Sequence, residues 1–389
     1  MNNLVTLFTA MIAFFFGALI STLLNGADKC SSNHKSGVSK LLEPHPDIFL
    51  LVVIFSAPQN EERRQMIRDT WLKLGQPLPH SYYPEEFVYV PNYDKTGHLV
   101  VESVAEQANR MRIYVDWLDS LDRQPEEENR LKIPRKIKVK HFFSIGVESL
   151  NMDLRIHLEK EEKKYQDLLL LPRLTDSYGN LTEKLLHSVE ALTHHYNFSY
   201  VLKTDDDSYV KMDHLLNELV SYDRKLIRKT PEYRMEPLPQ LYWGYFNGKA
   251  NIKTKGQWSE FNYYLSQKYI TYALGGGYVI SRQICEFIAL NARYLTPYVS
   301  EDISLGTWLA PLRYVYRRHD PRFDTGYMPR RCRSHHLVLH KRTTDLMQDL
   351  YENRLCSFEV PNESKLKRPL EYYYDWRRPS DKCCDSIVV

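Results

Sequence analysis

The chain has 389 residues, 26% of them charged, and a net charge of +3. That charge is too small to argue for nucleic acid as a partner. With a short N-terminal segment set aside, the remainder exceeds an average domain but matches the size that α/β enzymes reach as one unit.

No charged residue stands between positions 1 and 27, and residues 4–24 are mostly Leu, Phe, Ile, Ala and Thr. That run reaches the ~20 residues needed to span a bilayer and outlasts the apolar core of a cleaved signal peptide. The reading is a three-residue tail (1–3), a transmembrane signal-anchor (4–24) and a stem (25–46) rich in Ser, Lys, Asn and Gly. Charge does not settle the topology: Met1-Asn2-Asn3 has no basic side chain, while Lys29 and Lys35 lie beyond the span. Three acceptor patterns for N-glycosylation, at Asn180, Asn197 and Asn362, point to a lumen. In that setting disulfides are expected among Cys30, Cys285, Cys332, Cys356, Cys383 and Cys384, with the pairing open. Adjacent Cys383-Cys384 lacks the gap of a zinc knuckle.

The unbroken apolar run 48–55 predicts a central parallel strand, and the acidic residues Glu61 and Glu62 open a helix after it. A strand is expected at 87–90, a helix from 99 to about 121, and a charged connection to a third strand at 139–145. A helix (147–164), a strand (168–171), a helix (182–196) and a strand through Tyr200-Val201-Leu202 follow. Strands alternating with helices make an α/β domain with a mainly parallel sheet. The Gly-rich dinucleotide and P-loop fingerprints are absent.

The last of those strands runs into Asp205-Asp206-Asp207. Three like charges in a row weaken the strand they end, and a hard divalent cation held with phosphate oxygens gives them a use. A solvated turn capping the helix that starts at Met212 is the alternative. Two further motifs follow. Gly275-Gly276-Gly277 between apolar runs reads as a bulge or tight turn, or as a close approach to a ligand. Glu301-Asp302 at the head of an apolar helix reads as an N-terminal cap or as a general base. Nine basic residues between Arg313 and Arg342 suggest a solvated face or the neighbourhood of an anionic diphosphate.

Together the segments 63–71 (RRQMIRDTW), 176–184 (DSYGNLTEK), 203–207 (KTDDD), 275–278 (GGGY) and Glu301-Asp302 resemble the β1,3-galactosyltransferase family, glycosyltransferase family 31, in that family's order. The resemblance covers most of the chain from Phe49 to Cys384, and residues 47–389 are expected to form its catalytic domain. It implies a GT-A-like fold, an inverting transfer, and a type II Golgi membrane protein with a luminal catalytic domain. Segments 272–278, 319–325 and 374–376 look like the branch that builds the glycosaminoglycan linkage region. That branch moves galactose from UDP-galactose to the 3-hydroxyl of galactose on galactosyl-xylosyl proteoglycan core proteins. Residues 91–134 depart from the family as an insertion whose acidic stretches suggest an exposed surface element.

By the same resemblance Mn²⁺, or Mg²⁺, is the expected cofactor. Asp207 is its expected direct ligand, with His340 as a further contact and Asp205 on the ribose or a metal-bound water. Arg64, Arg68, Lys203, Asp206, Gly276 and Gly277 are expected at the donor. Trp243, Trp258 and Glu301 are expected at the acceptor, and Asp302 is the expected base. For the tryptophans, buried packing stands as the other reading, and for Arg64 and Arg68 a solvated helix face. A membrane-tethered metal-dependent lectin, without turnover, and a family transferase of other donor or acceptor specificity remain as competing functions.

Overall fold

The computed structural model describes residues 47–75, 87–121, 137–233, 237–327, 332–333, 335–353, 373–380 and 382–383. The expected tail, anchor and stem lie outside that set. Among the described residues no helix is long and apolar enough to cross a membrane.

Strand β1 (Ile48–Phe55) is buried along almost its whole length, as a strand covered by helices on both faces must be. Helix α1 (Glu61–Asp69) follows it. A two-residue hairpin, β2 (Asn92–Tyr93) with β3 (Leu99–Val100), leads to α2 (Val104–Leu121). Then β4 (Val139–Gly146), α3 (Met152–Tyr165), β5 (Leu168–Leu171), α4 (Leu181–His195) and β6 (Phe198–Asp205) alternate. The second half holds β7 (Tyr209–Val210), α5 (Met212–Tyr233), β8 (Gln240–Asn247), β9 (Tyr272–Ser281) and α6 (Arg282–Asn291). It closes with α7 (Glu301–Leu309), β10 (Val315–His319), β11 (Phe323–Asp324), β12 (Val338–Leu339) and α8 (Thr344–Asn353).

Seven strands form one sheet in the order β10-β8-β9-β6-β1-β4-β5. Only β9 runs antiparallel to its neighbours, so the sheet is mixed and mostly parallel, as a GT-A-like fold requires. From β1 the chain moves outward through β4 to β5, then returns to place β6 on the other side of β1. That reversal opens a crevice at the carboxyl ends of β1 and β6, where open α/β sheets bind ligands. Phe55 and Asp205 are register partners at that edge.

Several sequence expectations shift. Phe87, Val88 and Val90 are buried but belong to no strand. Their segment is extended, and side chains rather than a ladder take its carbonyls: Lys225 Nζ donates to Val88 O at 2.6 Å and Lys229 Nζ to Val90 O at 3.4 Å. The helix expected from 99 begins at Val104, after the hairpin. The glycine run is no turn; it lies inside β9, beside a register slip in the β8–β9 pairing. The region read as a surface insertion contributes Ala108, Met111 and Tyr114 to the main core, while 122–136 lies outside the described residues. Cys285 is a buried free thiol and leaves the set of expected disulfide partners.

The basic cluster is neither a solvated face nor a diphosphate platform as a whole. Arg318 and Arg322 are buried and both pair with the buried Glu218; Arg322 also forks onto Asp320. Trp243 Nε1 donates to the same Asp320 at 2.8 Å, and Arg342 pairs with Asp324 at 3.2 Å. Each charge is matched by a geometrically specific partner, which is what burial demands.

A second buried network docks α1 against α3. Arg64, fully buried, gives Nε and Nη2 to Glu161 at 2.8 and 2.6 Å. Arg68 reaches Glu161 at 2.7 Å and Asp167 at 2.8 Å, with its guanidinium 4.0 Å from the Tyr165 ring centre. Burial disfavours the Glu161 anion, yet the two arginines hold its carboxyl below the usual range. Replacing Glu161 with Ala leaves the buried Arg64 without a carboxylate and Arg68 with Asp167 alone, and a loss of about 3–5 kcal/mol in urea unfolding is expected.

Candidate active site

Two features bring distant residues to the carboxyl end of β6. The first is the small sheet β11-β12-β7, in which β12 pairs antiparallel with β7 and Leu339 faces Tyr209. The residue after β12 is His340, and Asp207 stands two residues before β7, so this pairing sets His340 beside Asp207. Arg342 N donates to Asp207 O at 2.8 Å and fixes the approach. The second is α7, which packs on β9 closely enough that a Cβ at Gly306 would stand 2.4 Å from the Tyr272 Cβ. Glu301 and Asp302 thereby reach the glycine run.

Each aspartate of the triplet has its own partners. Asp205 Oδ1 accepts from Lys203 Nζ at 2.8 Å, and its Oδ2 lies 3.5 Å from His340 Nε2. Asp206 turns the other way and accepts from Ser56 Oγ and Asn60 Nδ2, both at 2.8 Å, and from Arg63 at 3.4 Å. Its burial raises its pKa, partly offset by those donors. Asp207 Oδ1 stands 3.0 Å from His340 Nε2, and its Oδ2 takes Lys341 Nζ at 2.8 Å. Burial opposes ionisation of Asp205 and Asp207, but Lys203 at the first and His340 at both hold these carboxyls below the ordinary range.

Asp205, Asp207 and His340 offer ligand atoms that all lie within 4.8 Å of one another. His340 Nδ1 donates to Gly326 O at 3.3 Å, which leaves Nε2 aimed at the carboxylates. Neither Nε2 nor Asp207 Oδ1 is satisfied by a hydrogen bond although both are buried. Two carboxylates and one imidazole with unsatisfied buried atoms facing one another fit a divalent cation.

Across the glycine run sits a second cluster. Lys203 is buried; its ammonium bonds Asp205, Gly275 O at 2.7 Å and the Glu301 carboxylate. Burial alone would lower its pKa, but Asp205 and Glu301 raise it instead. Asp302 Oδ2 accepts from Gly275 N at 3.0 Å and Oδ1 from Ile303 N at 2.9 Å. Burial pushes the Asp302 carboxyl up to about 6 against the pull of Lys203, and Glu301 up to about 8.

A cavity of ≈ 390 Å³ opens on the β1 side of the aspartates. Its walls include Ser56, Asn60, Arg63, Asp176, Tyr178, Lys184, the three aspartates and Lys341. The volume lies within the range of small-ligand sites. Lys184 is buried in its wall, bonding Asp176 at 2.6 Å and Ser56 O at 2.7 Å.

The Galactosyltransferase family model matches residues 117–320. Beta-1,3-galactosyltransferase 6 of Mus musculus is 34% identical over 94% of this chain and 91% of its own length. The chain belongs to the galactosyltransferase family. Human UDP-GalNAc:beta-1,3-N-acetylgalactosaminyltransferase 2 is 32% identical over 40% of the chain and 29% of its own length. Hydroxyproline O-galactosyltransferase GALT6 of Arabidopsis thaliana is 25% identical over 63% of the chain and 33% of its own length.

In this galactosyltransferase the expected site residues separate into groups. Asp205, Asp207 and His340 come together, and Asp206 lines the cavity with the other two aspartates. Arg64 and Arg68 do not reach it, because Glu161 and Asp167 hold them under α1; the arginine on the cavity side is Arg63. Lys203 and Glu301 are buried counter-ions, with no face toward donor or acceptor. Trp243 is in the core, its ring edge-on to Phe323 and under Arg318. Trp258 is half-buried and meets the exposed ring of Tyr327, whose centroid is 5.9 Å from Lys341 Nζ. Asp302 is half-buried beyond Gly275 and is not part of the cavity wall. Asn197 is exposed, Asn180 donates its side chain to Thr175 O at 2.9 Å, and Asn362 lies outside the described residues.

Gly276 and Gly277 make room for protein rather than for a ligand. A Cβ at Gly277 would meet Val338 Cγ1 at 2.9 Å, and one at Gly276 would stand 2.6 Å from the His340 ring. The Gly276 carbonyl also accepts from Thr204 Oγ1 and Ser208 Oγ, so the strand cannot slide away. Gly276→Ala must therefore displace the imidazole. Isothermal titration is expected to show Mn²⁺ affinity weakened on the order of tenfold or more, the loss that follows when a ligand's support is disturbed.

Proposed function

We propose that this enzyme transfers galactose from UDP-galactose to the 3-hydroxyl of the galactose in galactosyl-xylosyl proteoglycan core proteins, as a β1,3-galactosyltransferase of the glycosaminoglycan linkage region. The observation that carries the reading is the end-to-end similarity to mouse beta-1,3-galactosyltransferase 6. The other two relatives match over smaller parts of the chain. All three carry a galactosyl or N-acetylgalactosaminyl transfer in their names, which supports the coarser class.

The site supports a division of labour. Asp205, Asp207 and His340 hold the cation, Mn²⁺ in this reading, which when bound acts as a Lewis acid toward the departing diphosphate. The cavity beside them takes the nucleotide. Arg63 takes the donor contact expected of Arg64 and Arg68, while Asn60 and Ser56 hold Asp206 in the wall. Tyr178, 61% exposed at the rim, offers a ring face to the base.

Asp302 accepts the proton of the attacking hydroxyl. Two backbone N–H groups lock its carboxylate, one on each oxygen, so its remaining lone pairs point in fixed directions. Burial lifts its pKa into the range where a carboxylate is a stronger base yet still ionised at neutral pH. Glu301 and Lys203 form a buried pair behind it, and Asp205 supplies the second carboxylate on the same ammonium. Trp258 and Tyr327 provide the aromatic surface on the acceptor side. An apolar N-terminal run and luminal acceptor sequences for glycosylation support a type II Golgi membrane protein.

Purified protein is expected to release UDP from UDP-galactose only with Mn²⁺ and a galactosyl-xyloside present. UDP-N-acetylglucosamine and UDP-N-acetylgalactosamine should be poor donors. Equal use of UDP-N-acetylgalactosamine would move the enzyme to another branch, and UDP-galactose binding without turnover would make it a lectin.

Because the base acts ionised, kcat/KM should fall tenfold per pH unit below about 6 and level off above it. Asp302→Asn should lose at least ~10²-fold in kcat while keeping UDP affinity; parallel loss of UDP binding would contradict the assignment.

A further inference from the structure

Lys341 has no part in the division of labour above, yet its position is specific. It follows His340 directly and, among the described residues, is one of two non-glycine residues with a positive φ, at 59°. A residue with a Cβ adopts that left-handed conformation at a cost, which the surroundings must impose. Here the imposed turn lets consecutive side chains grip one carboxylate from two sides. His340 Nε2 is 3.0 Å from Asp207 Oδ1, and Lys341 Nζ is 2.8 Å from Asp207 Oδ2. The Lys341 side chain also lines the ≈ 390 Å³ cavity and is 33% exposed.

The other cations of that wall are anchored differently. Lys184 is 2% exposed and bonds both Asp176 and Ser56 O, and Arg63 pairs with Asp206. Lys341, among the described residues of that wall, is the cation that pairs with Asp207, itself an expected ligand of the metal ion. An ammonium and a dication on the same carboxylate repel each other. The lysine carries a compact charge on a flexible four-carbon stem, so it can leave Asp207 without the backbone moving. A diphosphate in the adjoining cavity is then the nearest new anion.

We propose that Lys341 is an exchangeable counter-charge. It neutralises Asp207 while the cation is absent, and it moves to the donor diphosphate once the cation has taken Asp207. It is a donor-binding residue that simultaneously disfavours binding of the bare cation. The inference rests on the nucleotide-sugar reading of the cavity. By linkage, such a residue makes cation and nucleotide bind more cooperatively than the ligand set alone would.

The test is calorimetric, on the full protein with Lys341→Gln and Lys341→Gly. Gln keeps the stem and removes the charge. Gly also relieves the left-handed backbone, so its thermal midpoint should match or exceed that of the unsubstituted chain. Both variants should bind Mn²⁺ alone severalfold more tightly and bind UDP at saturating Mn²⁺ about tenfold more weakly. A merely structural lysine moves neither affinity, or weakens both. Unchanged affinities, or Mn²⁺ binding that weakens, would overturn the proposal while leaving the transferase reading intact. If the unsubstituted protein binds no UDP with Mn²⁺ present, both fall together.

Discussion

Mutual repulsion among three adjacent carboxylates at the end of β6 is the constraint around which the rest of this structure is arranged. Left alone, Asp205, Asp206 and Asp207 would destabilise the edge of the sheet they terminate. Each is instead answered from a different part of the chain: Asp205 by Lys203 one pleat back, Asp206 by the β1–α1 connection, and Asp207 by His340 and Lys341. The fold delivers those partners because β1 and β6 are neighbours in register and because β12 pairs with β7. The compensation is incomplete at one point, between Asp207 Oδ1 and His340 Nε2, where buried atoms face one another without a hydrogen bond. That shortfall fits a divalent cation.

The glycines of β9 are part of the same arrangement. They stand between the aspartate–histidine cluster on one side and the Glu301–Asp302 pair on the other. Removing side chains at 275–277 lets His340 lie on the backbone of Gly276, and lets the carboxylates of α7 reach Gly275. Lys203 passes through this layer and binds both sides, to Asp205 and to Glu301. The two carboxylate clusters are thus held at a fixed separation by three residues without side chains, with one buried ammonium as the link. Preorganisation of this kind avoids rearranging charge at the moment of reaction.

Much of this was legible in the sequence, for identifiable reasons. Continuous apolar runs revealed β1, β5 and β6 because strands covered on both faces have no polar alternation to hide them. The aspartates, His340 and Asp302 stood out because their types and order carry a family pattern. The pattern failed where it could not report direction. RRQMIRDTW does not say which arginine faces which way; on the helix Arg64 and Arg68 share the side that meets Glu161, while Arg63 turns to the cavity. By sequence Trp243 stands open between a sugar platform and buried packing, and its indole N–H satisfies Asp320 inside the core. Phe87–Val90 has strand composition, yet lysines of α5 take carbonyls that a neighbouring strand would otherwise take. Arg318 and Arg322 read as surface charge because their partner, Glu218, lies about a hundred residues away in sequence.

The central claim is that Asp205, Asp207 and His340 together hold a divalent cation. Pulsed electron paramagnetic resonance on the Mn²⁺-loaded protein tests it most directly, since a nitrogen bound to manganese gives a distinct hyperfine modulation. One imidazole nitrogen is expected in the unsubstituted protein, absent in His340→Gln, with phosphorus coupling appearing when UDP is added. A nitrogen signal that is missing from the start, or that survives His340→Gln, would contradict the account.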